Sequence, residues 1–300
     1  MAGSALGGEN RRCQQQSNRR CSGQANAPSH ILSPPQLTCC GAAYQDDDWQ
    51  LCPEVQMAMQ GPIRSAWSAP HLTPDARARL SGWDWLASID PGITRDLLDM
   101  AMQRRVSEGT IVYQAGAESG EVFGVISGQV VLWHRSGSSD AQFVHMFRTG
   151  HWFGYGPILA GERRRHQCIA RTTCELAVLP GADLRRFLAQ APENWHALAS
   201  LVDMQGQESE LAGLDLLRRS QEERLVATLL RFAGCRLGNA PDGPPWNVAM
   251  TQQEIAEAAN MSRNTTSRLL VQLELECLVA LHYRHLSILD ADRLRAKLGN

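Results

Sequence analysis

A cluster of polar side chains near the carboxyl terminus has the residue types and spacing needed to recognise bases in DNA. Arg263 and Arg268 lie five residues apart in the helix predicted after Ser262, so their side chains stand about 140° apart around its axis and flank one polar face. Arginine can donate two hydrogen bonds to guanine, and an asparagine such as Asn264 can pair with adenine. The further candidate contacts are Thr251, Ser262, Thr265 and Ser267. This chemistry suits the major groove of double-stranded DNA.

Two short helices must hold these side chains in place. Thr251 and Glu254 have the spacing of a capping box, so a first helix begins there and ends near Asn260, which tolerates the left-handed backbone of a tight turn. Ser262 then caps a second helix. The apolar residues that this helix turns inward are Leu269, Leu270, Leu273 and Leu278. A helical hairpin within an ordinary α-domain has the same spacing, but the arginines favour a DNA-reading helix-turn-helix.

The stretch TQQEIAEAANMSRNTTSRLLVQLELECLVAL, from Thr251 to Leu281, resembles the carboxy-terminal motif of the CRP/FNR family of bacterial transcription regulators. That family marks its recognition helix with Ser-Arg-x-Thr-x-x-Arg, which stands here from Ser262 to Arg268. Many members carry Glu at the position of Asn264, so this chain departs from the pattern there. The resemblance implies a homodimer that binds double-stranded DNA and works with RNA polymerase.

Length and composition limit the alternatives. Three hundred residues, 43% of them hydrophobic and 20% charged, allow two globular domains. The net charge of −2 means that DNA affinity must come from local placement of arginines. The sequence has no run of about 18 apolar residues and no apolar signal-peptide region, so we expect a cytoplasmic protein with no membrane partner. No P-loop, H-E-x-x-H or G-x-S-x-G motif is present, which argues against an enzyme.

The segment of residues 1–69 is rich in Gly, Ser, Gln, Asn and Pro and shows no helical or strand period, so we expect a disordered arm. Its thiolates could hold an iron–sulfur cluster or a metal, as an amino-terminal cysteine group does in some relatives of the family. The spacings are long and irregular, which favours unstructured thiols. We therefore expect no metal site and no tightly bound cofactor. The candidate cluster ligands are Cys13, Cys21, Cys39, Cys40 and Cys52.

Residues 81–190 are expected to form the next domain, and from Val106 to Pro180 the period changes to short runs of Val, Ile, Phe and Thr separated by glycines. After a helix over Gly92–Gln103, this pattern predicts a small antiparallel β-barrel or jelly roll, and hence an α+β protein. The arrangement resembles the cyclic-nucleotide-binding fold of the CRP/FNR sensor domain, including the ISGQV sequence at Ile126–Val130. The predicted strands are Thr110–Gln114, Val122–Ile126, Gln129–His134, Gln142–Phe147 and Glu175–Leu179.

The resemblance also places a candidate effector pocket in the stretch Gly150–Ala170. Cyclic-nucleotide-binding relatives use a Glu there for the ribose and an Arg-Ser pair for the phosphate. Arg165 falls where that Arg would be, but Tyr155 replaces the Glu and His166 replaces the Ser. We therefore expect an unidentified effector other than cyclic AMP, although the basic run containing Arg165 could also be a solvated turn. Gly154 and Gly156 keep the backbone of the pocket permissive.

A long helix is predicted from Pro192 to Leu217. Its two internal glycines each cost about 1 kcal/mol relative to Ala, so packing must stabilise it. In the family that the chain resembles, this segment joins two copies, and residues 192–219 are accordingly expected to be a dimerisation helix. A helix buried within one monomer is the alternative. The apolar positions near coiled-coil spacing are Trp195, Leu198, Val202, Ala212 and Leu216.

Residues 220–300 are expected to form a winged helix-turn-helix domain. Val279–Tyr283 and His285–Leu289 are the predicted strands of the wing, and Asp290 caps a last helix. Two other functions stay open at this point. The chain could be a cyclic-nucleotide-binding-like module whose carboxy-terminal helices contact protein, or an iron–sulfur or redox-sensing regulator that uses its amino-terminal cysteines.

Overall fold

The structure is a computed structural model, and it describes residues 70–82, 84–134, 141–238 and 243–299. The amino-terminal arm of residues 1–69 and its five cysteines lie outside the described residues. Helices and antiparallel sheets both contribute, which confirms the predicted α+β class. None of the described helices is both long enough and apolar enough to cross a lipid bilayer.

The elements are numbered along the described residues. The helices are α1 (Pro74–Ser81), α2 (Asp84–Ser88), α3 (Pro91–Met100), α4 (Gly156–Ala160), α5 (Gly181–Leu188), α6 (Pro192–Leu216), α7 (Gln221–Phe232), α8 (Gln252–Ala258), α9 (Arg263–Leu275) and α10 (Ala291–Ala296). The strands are β1 (Met102–Val106), β2 (Ile111–Tyr113), β3 (Val122–Ser127), β4 (Val130–His134), β5 (Gln142–Phe147), β6 (Trp152–Phe153), β7 (Gln167–Ala170), β8 (Cys174–Leu179), β9 (Trp246–Val248), β10 (Val279–His282) and β11 (His285–Ile288).

Helix α1 precedes the predicted start of the sensor domain at Ser81. The Thr73 side chain accepts a hydrogen bond from the Ala76 N–H, and Pro74 occupies the first helical turn, so the local sequence specifies the start of this helix. Only Ala76 and Leu80 are buried, which gives too weak an apolar period to reveal the helix from sequence.

The barrel consists of two four-stranded antiparallel sheets. One has the order β1-β8-β3-β6 and the other β2-β7-β4-β5. Aromatic rings fill the space between them: Phe147 stacks on Phe153 with ring centroids 4.5 Å apart, and Phe123 lies 5.5 Å from Phe153. The predicted jelly roll is therefore confirmed, and its interior is closed by side chains.

Helix α6 packs one face onto the barrel side of its own chain. Leu198 and Leu201 are buried in a cluster that also contains Trp85 from α2. The indole N–H of Trp85 donates to the carbonyl oxygen of Ala197 at 2.6 Å. The amino-terminal half of α6 is thus anchored inside the monomer.

The carboxy-terminal domain combines α7 to α10 with a three-stranded sheet in the order β10-β11-β9. Its core extends into the barrel, because Val131 and Met146 belong to the same buried cluster as the apolar face of α7. Phe143 of β5 meets Phe232 of α7 edge to face, with ring centroids 5.2 Å apart. Within this chain the barrel and the carboxy-terminal domain therefore share one apolar core.

Several short strands were not predicted from the sequence, namely β1, β6 and β9. Strand β1 carries the exposed pair Arg104 and Arg105, and β6 has only two residues. Strand β9 has three residues directly after a loop rich in Pro and Gly. Each of these strands is specified by pairing with a neighbour, which local sequence does not show.

Candidate DNA-binding surface and effector cavity

The capping box at Thr251 sets the start of α8. The Thr251 hydroxyl accepts from the Glu254 N–H at 3.2 Å, and the Glu254 carboxylate accepts from the Thr251 N–H at 2.8 Å and from its hydroxyl at 2.9 Å. Two amide donors that the helix would leave unsatisfied are thereby paired. Thr251 is thus a structural residue at the edge of the candidate DNA surface.

The turn between α8 and α9 orients the second helix. Asn260 has φ 50°, the left-handed backbone expected of it. The Ser262 hydroxyl accepts from the Thr265 N–H at 3.1 Å and lies 2.9 Å from the Thr265 hydroxyl. Thr266 and three leucines of α9 are buried, which fixes the rotation of the helix about its axis. The opposite face must therefore point away from the core.

That outward face carries the predicted base-reading groups. Arg263, Asn264 and Arg268 are exposed, and Thr265 and Ser267 are half-buried beside them. Among the described residues, neither Arg263 nor Arg268 forms an ion pair or hydrogen bond. Both guanidinium groups are therefore available to a ligand, whereas many other arginines of the chain are paired with carboxylates.

The wing borders the same face. A groove of about 480 Å³ runs between the start of α8, the start of α9 and the wing. At the tip of the wing, Tyr283 is 89% exposed and Arg284 has φ 62°. The polar residues that line the groove are Thr251, Gln252, Gln253, Arg263, His282, Tyr283, Arg284 and His285. Sequence reasoning did not single out Gln252, Gln253 or Arg284, although all three are polar residues of the predicted helix start and wing.

All five predicted effector-pocket residues line one cavity in the barrel. The cavity measures about 380 Å³. The five residues are Gly154, Tyr155, Gly156, Arg165 and His166. The wall opposite is formed by barrel aromatics and by Gln205 of α6. The structure thus brings these residues together around a space large enough for a small molecule.

The arginine buried in this cavity is Arg164, and the sequence had pointed to Arg165. The Arg165 side chain is 69% exposed and pairs with Glu162 in the same turn. The Arg164 side chain is 2% exposed, donates to the carbonyl oxygen of Glu121 at 2.6 Å and to that of Gly154, and lies 4.2 Å from the Tyr113 ring centroid. Burial lowers the pKa of Arg164 from its usual value. The solvated-turn interpretation therefore fits Arg165 but not Arg164.

Hydrogen bonds connect the cavity to helix α6. The Tyr155 hydroxyl donates to the side-chain oxygen of Gln205 at 2.8 Å, and the Gln205 amide donates to the Trp152 carbonyl oxygen. Burial raises the pKa of Tyr155, so its hydroxyl stays protonated at neutral pH. A ligand that displaced Tyr155 would act directly on α6.

The tyrosine, imidazole and thiol groups in and beside the cavity are uncharged at neutral pH. Burial, followed by the neighbouring His134 and Arg165, lowers the pKa of His166. Burial raises the pKa of Tyr113, and it raises the pKa of the Cys168 thiol beside it to about 12. Arg164 supplies the buried positive charge of the site. Its two terminal nitrogens donate to the carbonyl oxygens of Gly154 and Glu121, and its Nε–H has no hydrogen-bond partner among the described residues.

Comparisons with known proteins agree with this two-part architecture. Residues 103–191 match the cyclic nucleotide-binding domain family, and residues 223–297 match the Crp-like helix-turn-helix domain family. The global nitrogen regulator of Synechococcus elongatus is 26% identical over 184 residues, which cover 61% of this chain and 83% of that protein. The cAMP-activated global transcriptional regulator CRP of Pasteurella multocida is 26% identical over 204 residues, covering 65% and 93%. A solved regulatory protein from Silicibacter pomeroyi DSS-3 shares the fold, with 20% identity, a TM-score of 0.57 and coverage of 76% and 100%.

Proposed function

This chain belongs to the CRP/FNR family of transcription regulators, and we propose that it binds specific double-stranded DNA through helix α9. The observation that carries the proposal is the outward face of α9, where the guanidinium groups of Arg263 and Arg268 are exposed and unpaired within the described structure. A helix that only contacted protein would not need two free arginines around Asn264. In this arrangement α9 enters the major groove and the wing lies along the adjacent backbone.

We propose that two copies join along helix α6. Trp195 and Leu216 are 43% and 38% exposed in the single chain, although they are large and apolar. Apart from the backbone of α6 itself, no atom of the described residues lies within 4 Å of where a Cβ of Gly206 or Gly213 would stand, so packing within the described part of the monomer does not explain these glycines. A partner helix that approaches closely would explain both. Two recognition helices on such a dimer would read pseudo-palindromic half-sites about one helical turn apart.

We propose a stripe of α6 as the dimer interface that differs from the sequence prediction at Leu198 and Ala212. Leu198, one of the apolar positions predicted for the interface, is 1% exposed in the core of its own monomer. The positions of this stripe, spaced alternately by three and four residues, are the half-buried Val202 and the exposed Trp195, Ala199, Gly206, Ser209, Gly213 and Leu216. The stripe and the face of α6 that packs on the barrel are different faces of the helix. The helix can therefore pack inside the monomer and contact a second copy at the same time.

The barrel cavity is proposed to hold an effector other than cyclic AMP. The family's ribose-binding Glu is replaced by Tyr155, whose hydroxyl already donates to Gln205, and His166 stands where the relatives place Ser. Calorimetric titration with cyclic AMP should give no saturable micromolar binding, and such binding would refute this part of the proposal. Binding of an effector at Tyr155 would be transmitted to the dimer helix through Gln205.

The direct test of DNA recognition is selection of bound sequences from random duplex DNA with the full chain. We expect an inverted repeat to emerge, and gel mobility at two salt concentrations should show binding that weakens steeply with salt. Failure to enrich any sequence would contradict the proposal. Repeating the selection with oxygen, nitric oxide and cyclic nucleotides would identify the effector class. By family likeness we also propose a cytoplasmic location and contact with RNA polymerase.

A further inference from the structure

Three side chains outside the effector cavity converge between the barrel and α6. His145 lies on β5, His151 lies just before β6, and Glu208 lies on α6. Nε2 of His145 is 3.7 Å from one carboxylate oxygen of Glu208, and Nε2 of His151 is 3.6 Å from the other. The three ligand-capable atoms all lie within 4.8 Å of one another. Among the described residues, this is the one group of three potential metal ligands that comes together in this way.

We propose that His145, His151 and Glu208 bind a divalent first-row transition metal ion such as Zn²⁺. Two imidazole nitrogens and one carboxylate are a common ligand set for such ions. With ligand distances of about 2.0–2.1 Å, neighbouring ligand atoms of a tetrahedral ion stand about 3.3 Å apart. The observed separations of 3.6 and 3.7 Å are within a few tenths of an ångström of that value. These two distances end on different oxygens of the Glu208 carboxylate, and the three ligand atoms lie within 4.8 Å of one another, so rotations of the side chains toward a common centre would complete the site.

The protonation state of the two histidines suits this role, because an imidazole must be neutral to ligate a metal. Burial lowers the pKa of His145 to about 3 and lowers the pKa of His151 well below its ordinary value. Neither ring has to lose a proton at neutral pH. The Glu208 side chain is 41% exposed, which gives an ion a path from solvent.

Two arginines act against a bound cation. After burial, Arg231 and Arg148 contribute to the lowered pKa of His145, and Arg148 contributes to that of His151. The Glu208 carboxylate offsets part of this charge, since it also favours the charged form of Arg231. Three protein ligands leave a coordination position open, and the arginines would favour an anionic ligand such as hydroxide or chloride there. We therefore expect reversible binding, weaker than at a closed structural zinc site.

A metal at this position would connect strand β5 directly to α6. It would stabilise the attachment of α6 to the barrel, because it adds bonds between β5 and α6 where the neutral His145 ring lies 3.7 Å from the Glu208 carboxylate. The inference does not depend on the proposed DNA function, since metal binding is measured on the protein without DNA. Sequence spacing gave no sign of it: the two histidines are six residues apart, and Glu208 lies far along the chain.

The test uses the full chain with its accessible thiols alkylated beforehand, so that cysteines do not compete for the ion. Calorimetric titration with Zn²⁺ should show saturable binding of one ion per chain, and Co²⁺ should give the visible absorption of a bound ion. Glu208→Gln preserves the shape of the side chain but removes its charge. Both Glu208→Gln and His151→Gln should weaken Zn²⁺ binding at least about tenfold.

The exposed histidine pair of the wing provides the matched control. His282 and His285 stack with ring centroids 4.4 Å apart and could bind Zn²⁺ adventitiously. The double variant His282→Gln/His285→Gln should bind Zn²⁺ like the wild type. Zn²⁺ should also raise the melting temperature of the wild type but not that of Glu208→Gln. This comparison tests the metal site even if His151→Gln does not fold. Unchanged binding in Glu208→Gln, or loss of binding in the wing variant, would overturn the proposal.

Discussion

At the scale of single residues, Arg263 and Arg268 should contribute to DNA binding in different ways. Arg263 lies in the first turn of α9 and lines the groove beside the wing, so Arg263→Ala should relax preference at one guanine-containing position, at about 1–3 kcal/mol per bidentate contact. Arg268 lies further along the helix, where its side chain can reach either a base edge or a flanking phosphate. If it contacts a phosphate, Arg268→Ala should weaken binding to all sequences about equally and make the salt dependence shallower by about one unit per half-site.

Both variants can be measured on the selected site and on single-base variants of it at several salt concentrations. Arg105→Ala is a suitable control, because Arg105 is an exposed arginine on the barrel strand β1. It should change neither sequence preference nor salt dependence. If Arg263→Ala leaves sequence preference intact, α9 is not the reading helix and the proposed function loses its main support.

Cys168 should be chemically inert in the folded protein. Its thiol is fully buried, and burial raises its pKa to about 12, so only ~10⁻⁴ of it is thiolate at pH 8. Treatment of the native protein with iodoacetamide, followed by mass spectrometry, should leave Cys168 unmodified, whereas the urea-unfolded chain should be labelled within the same time. Native labelling at the unfolded rate would show that Cys168 is accessible and could serve as a redox group.

Residue-level prediction from the sequence succeeded where the local pattern alone determines exposure. The N-cap at Ser262 and the buried leucines of α9 fix which side of that helix faces outward, and both can be read from spacing. The buried arginine of the cavity was missed because Arg163, Arg164 and Arg165 are chemically identical. Only the backbone pairing of Arg164 with Ala117 in the neighbouring loop decides which of the three turns inward.

At the scale of elements, helix α6 tests the proposed dimer. Val202→Glu/Leu216→Glu places two charges on the exposed stripe without touching the monomer core, so it should give folded monomers in sedimentation equilibrium. Dimer-dependent DNA affinity should fall with it, because one recognition helix alone reads only one half-site. The variant should be monomeric because a dimer would have to bury unpaired carboxylates between the two helices.

The control for this prediction lies on the same helix, away from the stripe. Gln207 is exposed, and Leu214 is 62% exposed, so Gln207→Glu/Leu214→Glu adds the same charge and also removes an exposed leucine. This variant should remain dimeric. A Val202→Glu/Leu216→Glu variant that remains dimeric would contradict the proposed dimer interface.

The sequence predicts long elements better than short ones for a physical reason. Helix α6 and the strands β3 to β5 carry their own periodic apolar pattern, and their observed bounds lie within one or two residues of the predicted ones. Strands β6 and β9 have two and three residues, too few for any period, and exist because β3 and β11 pair with them. Leu198 was predicted for the dimer interface but is buried in its own monomer. Heptad spacing shows that a helix face is buried, but it does not show whether that face packs on the same chain or on a second copy.

At the scale of the whole molecule, the barrel and the carboxy-terminal domain contact each other by polar as well as apolar groups. The Gln129 side-chain oxygen accepts from the Ala249 N–H at 2.9 Å. Arg171 of the barrel pairs with Glu254, the residue that completes the capping box of α8. No local pattern predicts these contacts, because each joins residues far apart in the chain. They indicate that the position of the reading helices depends on the barrel.

The shared core should make the two domains unfold together. Phe143 packs between Trp133 and Phe232, at centroid distances of 5.8 and 5.2 Å, so Phe143→Ala leaves a cavity at the centre of the domain contact. Because Phe143 is half-buried, the free energy of unfolding should fall by about 2–3 kcal/mol, which is below or at the lower end of the range for a fully buried Phe. Calorimetry should show one transition for the wild type and two for the variant, with the carboxy-terminal domain melting first.

The neighbouring Val144 is 43% exposed, so Val144→Ala is the control and should keep the single transition. A Phe143→Ala protein that melts once, at the wild-type temperature, would show that the domains are not coupled through this core.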